Sequence, residues 1–306
     1  MQPLRGILLK VMSVTMFMGM SSLIKAASTD VPPGEAVFFR SFFAIPVILG
    51  WLAIRGELKS GWKTANPMGH FWRGLVGTTA MGLGFTGLGL LPLPEVTAIG
   101  YAAPLLVVVF AAMFLNEQVG IFRLSAVALG MIGVLIVLSP RLSVGASLGT
   151  SETLGAVVVL MGAVMAALAQ VFVRKLVATE GTAAIVFWFS ITSALLALLT
   201  LPWGWALPST AAATMLVMAG LLGGLGQIFL TSSYRYADAS LVAPFDYSSM
   251  ILALGIGYFI FDEVPTGTMI LGAAVVILAG VLIIWREHRL GLQRAQQRKA
   301  TGNIGS

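Results

Sequence analysis

Residues 104–138 read PLLVVVFAAMFLNEQVGIFRLSAVALGMIGVLIVL. Two apolar runs are divided by a single polar turn at Asn116-Glu117-Gln118, and with the apolar residues from 95 onward added to the first, each is close to the roughly 20 residues that span a hydrocarbon core. A pair of this kind reads as two membrane-spanning helices joined by a tight connection. The pattern then returns further along the chain. Phe114-Leu115-Asn116-Glu117 is matched by Ile260-Phe261-Asp262-Glu263, and Gly133-Val134-Leu135-Ile136-Val137 by Gly280-Val281-Leu282-Ile283-Ile284.

The rest of the chain has the same character. Its 306 residues are 58% hydrophobic and 10% charged, with a mean hydropathy of +0.95. A soluble domain carries roughly 25% charged residues, and one aqueous core could not hide this much apolar surface. About ten segments are long enough to span: 7–27, 34–54, 71–91, 95–115, 121–139, 154–175, 182–201, 212–233, 240–261 and 267–285. Turn formers such as Pro32-Pro33-Gly34, Leu91-Pro92-Leu93-Pro94 and Pro202-Trp203-Gly204 punctuate them. Residues 286–306 read as an unstructured basic tail. The weak cleavage pattern Ala26-Ala27-Ser28 is read as part of a retained first helix, because that helix has a counterpart later in the chain.

Basic residues give the orientation. With the N-terminus inside, one side holds Arg5, Arg55, Lys59, Lys63, Arg73, Arg123, Arg174, Lys175, Arg235 and the tail cations, while the other holds Lys25 and Arg141. Both termini are therefore expected in the cytoplasm. The net charge of +6 is a topology signal with some attraction to lipid head groups, and does not mark a nucleic-acid partner.

The repeat extends to Gly74-Leu75-Val76-Gly77 with Gly220-Leu221-Leu222-Gly223, Tyr101 with Tyr247, and more weakly Gly6 with Gly155 and Lys25 with Arg174. It predicts a five-helix unit over 1–140, a second over 141–285, and the tail after that. An odd number of helices sends the second unit through the membrane from the opposite side. Inverted repeats of this kind recur in transporters, because two similar halves can exchange conformations.

The doublets Asn116-Glu117 and Asp262-Glu263, the Gly-Val-Leu-Ile run after each, and Arg40 following Glu35 and two Phe residues resemble the drug/metabolite transporter superfamily with paired EamA domains. The resemblance covers about residues 5–285, and within the family the chain looks like the YddG-type amino-acid and metabolite exporters. It implies an all-α fold of ten helices around a central cavity, with helices 3, 4, 6, 8 and 9 contributing most of the wall and two halves that rock between access states.

Asn116 and Asp262 are expected as N-caps, with Glu117 and Glu263 in the first turns of the helices that follow, favoured by the helix dipole. Lys10 and Arg40 are charges inside spans, near enough to a helix end to snorkel, and Arg40 is also a candidate for a gating or structural ion pair. Asp246 lies roughly 10 Å into its helix by helical rise, too deep for a short carboxylate to reach water. It marks either a substrate site or gate, or local polar packing, together with Tyr247 and Ser248. Gln227 either binds a substrate head group or hydrogen-bonds a neighbouring helix. Tyr101, Trp188, Gln170 and Met81 are further candidates for the cavity wall. Pro46, Pro104 and Pro244 and the Gly220/Gly224 GxxxG pair are candidates for hinges or for close static packing.

No Gly-Lys pair provides a P-loop, no HExxH is present, and there are no cysteines, so neither ATP drive nor a cofactor is implied. The first and sixth helices carry no acid inside the span, which argues against the proton exchange of small multidrug antiporters. With Arg40 the one cation near the expected cavity, a neutral or zwitterionic substrate fits better than a phosphorylated one. The expectation is a monomeric inner-membrane carrier, not an enzyme, exporting amino acids (aromatic ones included) or related small metabolites by alternating access. The other readings are an efflux carrier for cationic drugs, a non-transporting scaffold and a lipid scramblase.

Overall fold

The computed structural model describes residues 3–115, 120–142, 151–236 and 243–302. Asn116 and Glu117 lie outside the described residues, as does the side chain of Pro244. The helices are α1 (Pro3–Ala27), α2 (Pro33–Ile54), α3 (Pro67–Leu90), α4 (Leu93–Gly100), α5 (Ala102–Leu115) and α6 (Ile121–Leu142). They are followed by α7 (Ser151–Val177), α8 (Thr182–Leu198) and α9 (Thr210–Tyr236). A 3-10 turn at Ala243–Tyr247 leads into α10 (Ser248–Phe261), and α11 covers Gly267–Gly302. No strand occurs among the described residues.

Six stretches are long and apolar enough to cross a membrane: Leu4–Ala27, Pro33–Ile54, Leu93–Phe114, Leu124–Arg141, Ser151–Val177 and Thr210–Ser233. Thr182–Leu198, Phe245–Phe261 and Gly267–Ile283 are shorter apolar helices. The span expected at 71–91 forms α3 but falls in neither group, because His70, Arg73 and its threonines dilute an otherwise apolar helix. The expected unstructured tail is also corrected: α11 continues to Gly302 through a stretch rich in Ala, Gln, Arg and Lys, which are good helix formers.

The helix expected over 95–115 is broken at Tyr101, with α4 on one side and α5 on the other. Pro104 accounts for the position. It offers no N–H to the carbonyl of Gly100, and its ring crowds that carbonyl. The ninth span likewise starts as a 3-10 turn before α10. Pro46, by contrast, is carried inside a continuous α2.

Packing partners come in matched sets. α1 lies along α9 and α3 along α7; α2 contacts α9 and α3 contacts α8; α5 contacts α7 and α1 contacts α10. Three more pairs close the bundle: α2 with α8, α4 with α10, and α6 with α11. The last pair meets backbone to backbone. A Cβ on Gly272 would stand 2.5 Å from Val137 Cγ2 and 2.6 Å from the Gly133 carbonyl, and one on Gly133 would stand 2.9 Å from the Gly272 carbonyl. Gly220 and Gly224 likewise bring α9 onto the backbone of α2 at Phe39 and Ala44.

The ends of the bundle are fastened by side chains. At the end where α1 begins, hereafter the near end, Glu180 accepts hydrogen bonds from Thr64 Oγ1 (2.9 Å) and from the backbone N–H groups of Ala65 (2.9 Å) and Asn66 (3.0 Å). Burial alone would raise its carboxyl; these bonds and nearby His70 outweigh burial and hold it below the usual carboxylate range. At the opposite, far end, Lys25 Nζ pairs with Glu263 (2.9 Å) and donates to the carbonyls of Leu88 (3.2 Å) and Leu91 (2.7 Å). Arg141 there forks onto Glu95 at 3.0 and 3.2 Å and also pairs with Glu152.

Gly272→Leu is expected to cost about 1–3 kcal/mol through backbone overlap of α6 and α11. It should appear as a fall of several degrees in the unfolding midpoint of detergent-solubilised protein, whereas Gly267→Leu, at a glycine with open space around it, should leave the midpoint unchanged.

Candidate functional site

The two helix interruptions meet. The rings of Tyr101 and Tyr247 pack edge to face with centroids 5.1 Å apart, and the Tyr101 hydroxyl shares a 2.7 Å hydrogen bond with Ser249 Oγ. These tyrosines are 146 residues apart, the separation that relates the two Glu-containing doublets. Tyr247 extends its hydroxyl against Gly280 of α11, where a Cβ could not be accommodated. The Ser248 hydroxyl is occupied locally, donating to the Phe245 carbonyl at 2.6 Å.

Beside this junction Asp246 pairs with Lys10 at 2.8 Å. The Lys10 side chain is 2% exposed and that of Asp246 39%. Snorkelling is therefore not what Lys10 does: it turns inward to the carboxylate, which lets both charges stay within an apolar bundle. Sequence reasoning placed the two residues separately and missed the pair, since α1 and the start of α10 are far apart along the chain.

A second polar site lies between α3, α7, α8 and α9. A cavity of about 70 Å³ is lined by Arg73, Gln170, Gln227 and Thr231 together with apolar residues that include Ile185 and Leu230. Gln170 and Gln227, both expected on a cavity wall, are thus brought to the same one. Arg73 was read only as a loop cation, yet it lies inside α3 and is buried, its guanidinium 3.5 Å from the centre of the Phe189 ring. Arg40 reaches the same ring from α2, at 5.6 Å. It too is buried and does not snorkel. Arg40 and Phe189 stand at the same separation in sequence as Lys25 and Arg174.

Other expectations are corrected. Asp262 is not an N-cap: it ends α10 in the left-handed conformation with φ 53°. Pro265 delays the next helix, and Thr266 Oγ1 accepts the cap bond from Met269 N–H at 3.3 Å. Glu263 precedes α11; besides Lys25 it accepts from the Leu93 N–H at 2.8 Å, so it caps α4. Trp188 faces the near-end loop, donating to the Trp62 carbonyl at 2.8 Å, and its neighbour Phe189 takes the interior position. Met81 packs with the apolar cluster of α1, α2 and α9. At the near end His70 is buried in the first turn of α3, 3.7 Å from Glu180. A larger cavity of about 260 Å³ at the far end, among Ile24, Val31, Phe85 and Leu90, is mostly apolar and contains none of the candidate residues. No group of His, Cys, Asp or Glu suited to a metal occurs among the described residues.

Broken helices and buried charges around an internal polar cavity, inside a bundle of apolar helices, are the features of a solute carrier. The sequence profile of the EamA-like transporter family matches residues 4–139 and again 153–286. The chain belongs to this family, in the drug/metabolite transporter superfamily, and is a multi-pass membrane transporter of small metabolites rather than an enzyme. It is 31% identical to the pseudopaline exporter CntI of Pseudomonas aeruginosa, over 91% of this chain and 95% of that one. It is 29% identical to an S-adenosylmethionine uptake transporter of Rickettsia conorii, over 87% of each. A riboflavin transporter of Rhizobium johnstonii is also 29% identical, over 84% of this chain and 83% of that one. A crystal structure with 20% identity superposes with a TM-score of 0.68 over 93% of this chain and 98% of that one, a likeness of fold.

Asp246→Asn, which leaves Lys10 buried beside a neutral group, is expected to cost about 1–3 kcal/mol, less than for a fully enclosed pair because Asp246 is partly exposed. Thermal unfolding in detergent should show the loss, and the double variant Lys10→Met/Asp246→Leu should recover most of it. A wild-type midpoint for Asp246→Asn alone would mean that the pair contributes nothing.

Proposed function

We propose that the protein is an inner-membrane carrier that exports amino acids or closely related small metabolites by alternating access. The observation that carries this reading is the internal cavity where Gln170, Gln227, Thr231 and Arg73 converge from three helices. Amide, hydroxyl and guanidinium groups around one small space are the complement of an amino-acid head group, and the adjoining apolar wall suits a side chain. S-adenosylmethionine, the solute in one relative's name, itself ends in an amino-acid head group.

The alternating mechanism draws on the matched packing pairs. They are what two five-helix units, 1–140 and 141–285, produce when related by an axis in the membrane plane. The two family matches, 4–139 and 153–286, fit that division. In this reading ten helices span the bilayer and both termini are cytoplasmic. One copy suffices, so the carrier is a monomer embedded in membrane lipids. Lys25–Glu263 and Arg141–Glu95 fasten the outer face, Lys10–Asp246 lies toward the inner one, and Gly220, Gly224 and the proline-marked helix breaks take up the movement. The cationic-drug reading is disfavoured because a cation without a carboxylate offers nothing to the two buried arginines at the middle of the bundle.

Uptake of radiolabelled amino acids into proteoliposomes tests the proposal. Saturable uptake of at least one is expected, with KM raised roughly tenfold in Gln227→Ala or Gln170→Ala at unchanged protein stability. Transport of a cationic dye with no amino-acid transport would replace the proposal with multidrug efflux.

A further inference from the structure

Among the described residues, the buried side-chain polar atoms without a hydrogen-bond partner fall on α2, α3 and α8 alone: Arg40 Nε and Nη1, Ser41 Oγ, both His70 ring nitrogens, Arg73 Nε and Nη1, and Ser190 Oγ. Two guanidiniums dominate this set. No described carboxylate lies within ion-pair distance of either, although Lys10, Lys25 and Arg141 each meet an acid. An unpaired buried cation is costly, and one ring face offsets only part of that cost. Two such cations against the same ring are costlier still, because they repel each other.

The surrounding backbone accommodates them. Gly223 of α9 is packed against Arg40, where a Cβ would stand 2.8 Å from Nε, and Gly77 of α3 leaves room for the Arg73 guanidinium beside Phe189. Arg40 descends from the far-end half of α2 and Arg73 rises from the near-end half of α3, so they meet at mid-depth. Arg73 also lines the cavity that holds Gln170 and Gln227. A pair held at this expense, with unbonded N–H groups on both members, one lining a polar cavity and the other reaching the same ring, lacks its anion.

We propose that Arg40 and Arg73 form a carboxylate clamp for the transported solute, so that the carrier takes metabolites bearing a carboxylate and rejects the corresponding amines that lack it. The inference rests on the transport reading above and narrows its substrate class. It replaces the expectation of a single cation near the cavity. The small cavity favours a carboxylate head group over a sugar phosphate. Planar carboxylates accept two parallel N–H bonds from a guanidinium, so Lys in place of Arg keeps the charge and loses the fork.

The test measures binding apart from transport. Thermal unfolding in detergent is followed with sodium glutarate, with glutaramide, its uncharged diamide, and with sodium chloride at matched ionic strength, for wild type, Arg40→Gln, Arg73→Gln and Arg73→Lys. Glutarate alone is expected to raise the wild-type midpoint. Its apparent affinity should fall roughly ten- to hundredfold in either Gln variant and only partly recover in Arg73→Lys. Without ligand, the Gln variants should unfold at or above the wild-type midpoint, because an unpaired charge has been removed; a structural role would lower it. Proteoliposome uptake of glutamate against 4-aminobutyrate, and of phenylalanine against phenethylamine, supplies the second readout.

Equal stabilisation by glutarate and chloride, or stabilisation that persists in Arg40→Gln/Arg73→Gln, would overturn the clamp. Uptake of amines as efficient as that of amino acids would overturn it too, while leaving a carrier in place. Glutarate binding that depends on the arginines, with no amino-acid uptake, would keep the clamp and remove amino acids as the substrate.

Discussion

A helix crossing hydrocarbon can be interrupted only where protein or a cavity receives the backbone groups that the interruption frees. That constraint organises this molecule. α4 gives way to α5 at Tyr101, and the 3-10 turn gives way to α10 after Tyr247, with both breaks turned inward and packed on each other. The Tyr101 hydroxyl hydrogen-bonds at this junction, so the weakest backbone in the bundle is held by side chains. Close packing of α6 on α11 through Gly133 and Gly272, and of α9 on α2 through Gly220 and Gly224, seals the surrounding wall.

Charge follows the same division. The two ends are closed by acids and bases that satisfy each other: Lys25 with Glu263, Arg141 with Glu95, and Glu180 with the loop before α3. Ion pairs of this kind can be broken and reformed where water is close by to solvate the separated charges, as the proposed opening of the ends requires. The middle is different. Lys10 has its carboxylate, whereas among the described residues Arg40 and Arg73 share the face of Phe189 and meet no acid. In the proposed cycle the missing negative charge arrives with the solute, which couples occupancy of the site to relief of the most costly electrostatic arrangement in the bundle.

Much of this was legible in the residues. Apolar runs and proline- and glycine-rich turns marked the helices to within a few residues, and the doublets at Asn116 and Asp262 disclosed the repeat. Gln170 and Gln227 were recognisable because an amide in an apolar helix needs a partner. What could not be read was long-range juxtaposition. Neither the Lys10–Asp246 pair nor the meeting of Arg40 and Arg73 has a local signature, and Arg73 resembled a topology signal since it lies close to the start of α3. The N-cap role assigned to Asp262 and the first-turn place assigned to Glu263 failed for a local reason, the delay that Pro265 imposes before α11. Trp188 and Phe189 show the limit most sharply: adjacent residues face a loop and the interior, a choice decided by the rotation of α8 against its neighbours.

The proposed cycle requires two opposed halves to open and close around this junction. The chain has no cysteines, so spin labels can be placed at will. Labels at Asp30→Cys and Val264→Cys, exposed positions flanking the Lys25–Glu263 pair, report the far-end distance in lipid nanodiscs by electron–electron resonance. Two distance populations are expected, with a ratio that changes on adding a transported solute and a shift toward the longer one in Lys25→Met. A single distance, unmoved by solute and by loss of the ion pair, would contradict the cycle.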